Sequence, residues 1–396
     1  MTTPEYKEML DWTEAHASDD VIKLKLKYNG RLPWLDMALM QIECRRKARK
    51  KLPDTLRCKE FVFPTRLSEE QCTGDLLARF HASLIDEGSR VADLTSGLGI
   101  DAFHLASRAS HVTAVEKEPV LADALLHNAD ALGIKNITVV NEDCRTFLIE
   151  TEQDYDTMFI DPARRGSTGE RVYRLADCAP DVISMLPAIS AKSRRLIVKM
   201  SPMLDVTQVL RELPATKVLY VVGTTTECKE LVADMTFGME SAEPEICLQT
   251  PDYRFSFTQG EEASAIPSYE KPKNGGYIYE PGATLMKAAP YKLLSQRFGI
   301  AKLHPNTHLY YSPEIVKDFP GDIWHIDRVA DFSSGELKRL AREYPKINVA
   351  VRNFDYTADW LRKKLKVKDG DNHRLIATTL HDGSKVMLIL SRADKK

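Results

Sequence analysis

The chain has 396 residues, a length that accommodates about two to three domains. Lysine and arginine total 55 against 57 aspartates and glutamates, so any surface for a polyanion has to be a local patch. Seven cysteines are scattered with no C-x-x-C pair, which excludes a zinc ribbon and argues against a disulfide framework. The polar start, MTTPEYKEMLDW, lacks a signal-peptide core. No apolar run reaches the ~20 residues that span a bilayer. The expectation is a cytoplasmic protein with reduced thiols, no resident metal and no membrane partner.

Residues 1–85 are predicted to form an N-terminal helical region, from the apolar spacing in DDVIKLKLKY and LPWLDMALMQIECRRKARKKL. Ser68 and Gln71 have the spacing of a capping box, which predicts a helix starting at Ser68 and running through LSEEQCTGDLLARFHASLI. From residue 86 to 260 the period changes. RVADLT, HVTAVEK, NITVVNED, YDTMFID, SRRLIVKM and KVLYVVG read as strands, mostly separated by helical stretches. That alternation predicts an α/β fold on a largely parallel sheet of about seven strands. EICLQT and YRFSFTQ leave no room for a helix between them, so the sheet should end in an antiparallel hairpin. Residues 261–330 open on a linker rich in proline and glycine. ATLMKAAPYKLLSQRFG then reads as one helix. Residues 331–396 read as a small α+β unit that ends in the strands HRLIATTLHDG and KVMLILSR.

The sharpest motif is ADLTSGLGIDAFHLA. Asp93 closes the first strand, and Gly97 and Gly99 lie in the turn before a helix. Glu116 ends the second strand, and Asp143 and Cys144 follow the third. Glycines let a backbone approach a ligand closely, and an acid after the second strand accepts both hydroxyls of a ribose. Gly97, Gly99 and Ala102 also fit the dinucleotide fingerprint G-x-G-x-x-A. Asp93 would face a pyrophosphate unfavourably, however, and suits a ligand with a cationic amino group. These residues resemble motif I and its successors in class I S-adenosylmethionine-dependent methyltransferases, over roughly residues 68–258. The resemblance implies the Rossmann-like methyltransferase sheet. It also implies S-adenosylmethionine as cofactor, bound by Asp93, Thr95, Gly97, Gly99, Glu116, Asp143 and Cys144.

The fourth strand leads into D-P-A-R-R-G, where this family carries its catalytic motif. Asp161, Pro162 and Arg164 are the catalytic candidates. Methyltransferases of exocyclic amines carry a second proline and an aromatic there; this chain has Ala163 and Arg164. The motif is nearer to the D-P-P-R-x-G of uracil-5 RNA methyltransferases, which also need a cysteine nucleophile after the next strand. Here that strand ends in KMSPMLD, with Ser201-Pro202 in place of a cysteine. A nitrogen or oxygen acceptor, methylated without a cysteine adduct, is therefore expected. Lys199 and Ser201 read equally well as pocket residues and as a solvated strand end.

Between Gln41 and Arg66 nine basic residues face three acids, +6 in 26 residues. Arg45, Arg46, Lys47, Arg49, Lys50 and Lys51 form its densest part, and Arg164 and Arg165 would lie at the pocket mouth. Both groups are candidate phosphate contacts; the alternative is a solvated helix face. A second basic patch, LRKKLKVK, spans residues 361–368. The whole layout resembles bacterial methyltransferases that carry a ferredoxin-like unit and a THUMP-like C-terminal domain, on QIECRRKARKKLP, IDPARRG, KMSPMLD and YEPGATLMKAAPYKLL. That resemblance implies an RNA substrate and does not distinguish tRNA from rRNA. Competing readings are methylation of a protein or small molecule, and a non-catalytic RNA-binding scaffold that keeps the cofactor pocket.

Overall fold

The computed structural model describes residues 3–164, 174–238, 243–370 and 372–393, with the side chains of Thr3, Pro4 and Arg164 outside that description. The chain divides into two compact units. The first is Met1–Thr216 with Ala233–Glu240, and the second is Lys217–Val232 with Ser241–Lys396.

The first unit opens with α1 (Thr3–Ala15), α2 (Val21–Tyr28) and α3 (Leu35–Ala48). Asp20 caps α2 by accepting from the amides of Ile22 and Lys23, satisfying two of the orphan donors of a helix start. Leu24, Leu35, Leu39 and Ile42 bury the shared face. The single helix expected from Ser68 is instead two, α4 (Arg66–Gln71) and α5 (Asp75–Leu84). The cap is Thr65, whose side chain accepts from the Ser68 amide while Ser68 reciprocates, so Ser68 is the third helical residue. Two interactions hold the break. Lys51 Nζ donates to the carbonyls of Glu69 and Glu70 at 2.9 and 3.0 Å. Asp75 turns back to accept from the amides of Asp54 and Thr55.

The strands β1 (Arg90–Asp93), β2 (His111–Val115), β3 (Ile137–Val140) and β4 (Tyr155–Ile160) follow. They alternate with α6 (Ile100–Ala106), α7 (Pro119–Ala131) and α8 (Cys144–Glu150). A short antiparallel pair, β5 (Ala163–Arg164) with β6 (Cys178–Ala179), precedes α9 (Val182–Lys192) and β7 (Ser193–Met200). These strands run parallel in the order β7-β4-β1-β2-β3, β5 and β6 excepted. Asp93 lies opposite Ala114 on one side and Phe159 on the other. The chain order reverses at β1 and β4, the switch point at which such sheets bind ligands beyond their carboxyl ends. Asp93, Glu116, Asn141, Asp161 and Ser201 end or immediately follow β1, β2, β3, β4 and β7, so all lie at that edge.

In the second unit, Glu245–Gln249 pairs in parallel with residues 218–222 and forms the expected antiparallel hairpin with Arg254–Thr258. The strand Cys228–Thr236, not picked out by the sequence, is divided between the two units. The expected linker is more ordered than its composition predicts, holding the helix Gln259–Ser264 and the strand Tyr277–Pro281. The helix expected across ATLMKAAPYKLLSQRFG is broken into Ala283–Ala288 and Tyr291–Phe298. Pro290 has no amide to continue the first helix, and Ala289 closes it at φ 63°. A seven-stranded sheet carries the rest, including the antiparallel pair His373–Thr379 with Lys385–Arg392.

Gly99 sits at φ +93°, and a Cβ there would lie 2.6 Å from Phe103 Cζ and 2.9 Å from Leu125 Cγ. Gly99→Ala combines backbone strain with overpacking, so it should lower stability by about 2 kcal/mol or more. Urea denaturation checks this: the midpoint should fall with the slope unchanged.

Candidate active site

The loop from Asp93 to Gly99 is built by backbone hydrogen bonds to its neighbours. The Leu94 amide donates to Phe159 O of β4, and the Ser96 amide to Val115 O of β2. The Gly97 amide donates to Glu116 Oε2 at 2.8 Å, and the Glu118 amide to Glu116 Oε1 at 2.8 Å. Gly97 itself has φ +55°, a conformation that favours glycine. Asn141 donates to the carbonyls of Glu116 and Lys117 and so joins the ends of β2 and β3.

Asp93 is 1% exposed. Its Oδ1 accepts from the Thr95 amide at 3.1 Å, while Oδ2 is buried with no hydrogen-bond partner among the described residues. Burial and, after it, the nearby Asp101 carboxylate push Asp93 up to about 8. Thr95 links this residue to the candidate catalytic motif, because its hydroxyl accepts from the Asp161 amide at 2.7 Å. The Asp161 side chain is 36% exposed, and Pro162 is buried. Lys199 pairs with Asp161 and has a side chain only 12% exposed, so it is a residue of the site. Arg164 lies on β5 with Cys178 as its register partner. Its side chain, and the whole of Arg165, lie outside the described residues.

Asp143 caps α8 through the Arg145 amide and pairs with the Arg145 guanidinium. Those bonds hold its carboxyl below the usual range. Cys144 is buried, and burial raises its thiol to about 11.

The basic stretch divides. Arg45 donates to the carbonyls of Cys58, Lys59 and Phe61, the last two at 2.7 and 2.6 Å. Arg46 donates to the carbonyls of Ala17 and Asp19 beyond α1. Arg45 and Arg46, expected to contact substrate, use their guanidinium groups to tie the chain's own backbone together. Lys47 pairs loosely with Glu70 at 3.5 Å. Arg49 and Lys50 are exposed, with no ion pair seen for either among the described residues.

Sequence reasoning missed three residues of this neighbourhood: Thr73, His81 and Asp101. Asp101 stands among Ile100, Ala102 and Phe103, all buried. An acid inside such a run was the available signal. The fold also brings one cysteine to the motif, Cys178, through the β5–β6 pairing.

Residues 34–165 match the family described as "Putative SAM-dependent methyltransferase". Residues 277–320 match a ferredoxin-like domain, and residues 321–392 a THUMP domain-like family. A solved "putative methyltransferase" from Porphyromonas gingivalis W83 is 32% identical over the full length of both chains, with a TM-score of 0.89. The "23S rRNA (uracil(1939)-C(5))-methyltransferase RlmD" of Klebsiella pneumoniae is 30% identical over 115 residues, 28% of this chain and 26% of that one. The "Ribosomal RNA small subunit methyltransferase J" of Hydrogenovibrio crunogenus is 28% identical over 146 residues, 32% of this chain and 52% of that one. The chain thus spans about a quarter of the length of the first of these curated relatives. No helix among the described residues is long and apolar enough to cross a membrane.

S-adenosylmethionine is the cofactor named by the first of these matches, and the residues fit it. The unpartnered Asp93 oxygen suits the cofactor's ammonium group, and the positive-φ glycines leave backbone to approach. Glu116, whose oxygens accept from the Gly97 and Glu118 amides, is the carboxylate expected to meet the ribose. Binding an ammonium beside Asp93 should ionise it and release a proton at pH 7. Calorimetry in buffers of different ionisation heat should count that proton in the parent and none in Asp93→Asn; an equal count in both sinks the assignment. The same group sets a stability slope. Its folded value lies above that of an exposed carboxyl, so it lowers stability as pH rises from about 4 to about 8. Asp93→Asn should remove that slope, and therefore be the more stable protein at pH 8.

Proposed function

This chain belongs to the family of S-adenosylmethionine-dependent methyltransferases with ferredoxin-like and THUMP-like domains, and we propose that it methylates a nitrogen or oxygen of an RNA nucleotide without a cysteine adduct. The observation that carries this reading is the chain of contacts Asp93–Thr95–Asp161, in which one threonine side chain bonds to the catalytic motif while its amide bonds to the cofactor-side acid. Asp93, Thr95, Gly97, Gly99 and Glu116 would hold the cofactor, with Asp143 and Cys144 at the adenine end. Bound there, S-adenosylmethionine supplies an electrophilic methyl group.

Asp161 and the backbone at Pro162 would orient the acceptor. An ionised carboxylate only accepts hydrogen bonds, so it suits an amine or hydroxyl whose lone pair must be aimed at the methyl group. Orientation of this kind supplies much of a transfer rate. RNA as substrate is supported by the likeness to two ribosomal RNA methyltransferases and by the THUMP-like match. Lys47, Arg49 and Lys50 are the exposed cations of α3 and its end that remain for phosphate, with Arg164 and Arg165 next to the motif.

A cysteine adduct requires a thiolate. Burial raises the thiols of Cys72 and Cys144, and Cys178 is 4% exposed. Cys178→Ser should keep turnover within about twofold, and 5-fluorouracil-containing RNA should form no covalent complex; either loss of turnover or a trapped complex overturns direct transfer.

The decisive assay is transfer of radiolabelled methyl from S-adenosylmethionine to total RNA of a strain lacking the gene, followed by nucleoside mass spectrometry. A labelled nitrogen- or oxygen-methylated nucleoside is expected. Label on protein or small molecules alone moves the substrate reading to those classes. Replacing Lys47, Arg49 and Lys50 by Gln should weaken RNA binding and reduce its salt slope by about one unit per lost contact. S-adenosylmethionine affinity should not change.

A further inference from the structure

The end of β7 carries a charge that its surroundings have to explain. Lys199 follows Leu196, Ile197 and Val198, all fully buried, and is itself nearly enclosed. Its Nζ lies 2.5 Å from Asp161 Oδ2, 2.8 Å from Thr73 Oγ1 and 3.7 Å from Asp101 Oδ2. Asp101 is in turn held by Thr73, which donates to Oδ2, and by His81 Nδ1, 2.7 Å from Oδ1. The His81 side chain is 0% exposed. Five separate elements meet here: the α4–α5 break, α5, α6, the end of β4 and the end of β7.

We infer that Lys199 is a positioning residue for methyl transfer, anchored by Asp101 and Thr73 so that it holds the Asp161 carboxylate ionised and in one orientation. This deepens the proposed function and rests on Asp161 as the group that meets the acceptor. The argument is electrostatic. Asp161 shares its surroundings with two further carboxyls, Asp93 and Asp101, and like charges favour the neutral acid. A protonated Asp161 would present a donor as well as an acceptor to the substrate, and the lone pair of an amine would have a competing partner. An opposite charge in hydrogen-bond contact reverses that tendency. A lysine on a flexible stem does this only if its ammonium is fixed. Thr73 and Asp101 supply that fixation, and His81 fixes Asp101.

The network also explains Asp101 itself. Burial works against its charge, yet Lys199 and His81 hold its carboxyl well below the usual range. Asp93, fully buried and close enough to feel the Asp101 charge, is pushed in the opposite direction. The pair of acids is thus divided: the one next to the lysine is ionised, and the one without it is protonated until a cation arrives. Among the described residues, the groups near Asp161 include Lys199 from β7, Asp93 from β1 and Thr95 from the loop after it. Asp101, on α6, lies 3.7 Å from the Lys199 ammonium.

The test reads Asp161 without any substrate. Carbon-13 NMR of side-chain carboxyls in the full chain follows its titration, the resonance being assigned by its loss in Asp161→Asn. In the parent it should stay ionised down to about pH 4, the ordinary aspartate value, or below. Lys199→Met should raise its midpoint by about one unit or more, and Lys199→Arg should restore most of the shift. If Lys199→Met fails to fold by circular dichroism, Thr73→Val decides; it should raise the midpoint by roughly half a unit through a loosened ammonium. A midpoint that does not move in whichever folded variant is read overturns the inference. In the RNA assay, Lys199→Met should lower turnover about tenfold or more and move the acid limb of the pH–rate profile up by the same amount as the Asp161 midpoint. S-adenosylmethionine affinity, read by calorimetry, should stay within about twofold. If the parent methylates no RNA, the substrate reading fails while the carboxyl titration still decides the role of Lys199.

Discussion

Asp101 carries a negative charge inside the carboxyl edge of the sheet, and a charge persists there only with partners. Breaking a buried pair by removing one member typically costs about 3–5 kcal/mol, because the other charge is left uncompensated. The partners come from far apart in the chain: Thr73 and His81 from the helical region, Lys199 from β7. This is why the helical region is more than a preface to the sheet. The α4–α5 break, which Lys51 and Asp75 maintain, is what turns Thr73 toward both Asp101 and Lys199. A continuous helix through residues 66–84 would give Thr73 a different direction, and Lys199 would lose one of its ligands.

The basic stretch shows that counted charge and available charge are different quantities. Net +6 in 26 residues suggests a polyanion surface. Yet Arg45, Arg46 and Lys51 all donate to backbone carbonyls of the chain itself. Carbonyls at helix ends carry partial negative charge and lack intrahelical donors, so cations near them have a structural use that needs no ligand. Desolvation depresses Arg45, as expected of a guanidinium enclosed among carbonyls. The exposed cations left on this segment are fewer than the sequence suggests. A polyanion bound there would meet Arg49, Lys50 and Lys47 first.

The parts of the fold legible in the sequence were those written as local periodicity. The alternation of strand and helix, the glycine turn after Asp93 and the final hairpin all follow from neighbours within about ten residues. The parts that were not legible depend on pairing across the chain or on competition between similar residues. Thr65 and Ser68 are both good caps, and only the packed structure decides that Thr65 holds the end. Pro290 did carry a local signal, a proline inside an otherwise helical pattern. The β5–β6 pairing that brings Cys178 opposite Arg164 has no periodic signature at all. The same holds for the site. Asp93, Gly97, Gly99 and Glu116 were visible as a spaced motif, whereas Thr73, His81 and Asp101 are united only by the fold. Lys199 looked equally like a strand end open to water.

Cofactor recognition and acceptor chemistry are written in different residues, and this bears on the likeness to uracil-C5 enzymes. That likeness covers 115 residues, 28% of this chain. Cofactor binding needs the glycine turn and the acids after β1 and β2; carbon methylation needs a thiolate besides. In this chain the position after β7 is Ser201-Pro202, and Lys199, two residues before Ser201, is joined to Asp161. A thiolate would be a third negative centre beside Asp101 and Asp161, and it would compete with both for the Lys199 ammonium. Lys199 can serve the carboxylate or a thiolate; its distances commit it to the carboxylate. The same electrostatic need that keeps Asp101 charged therefore favours an acceptor that is already nucleophilic, an amine or a hydroxyl, over a carbon that first needs activation.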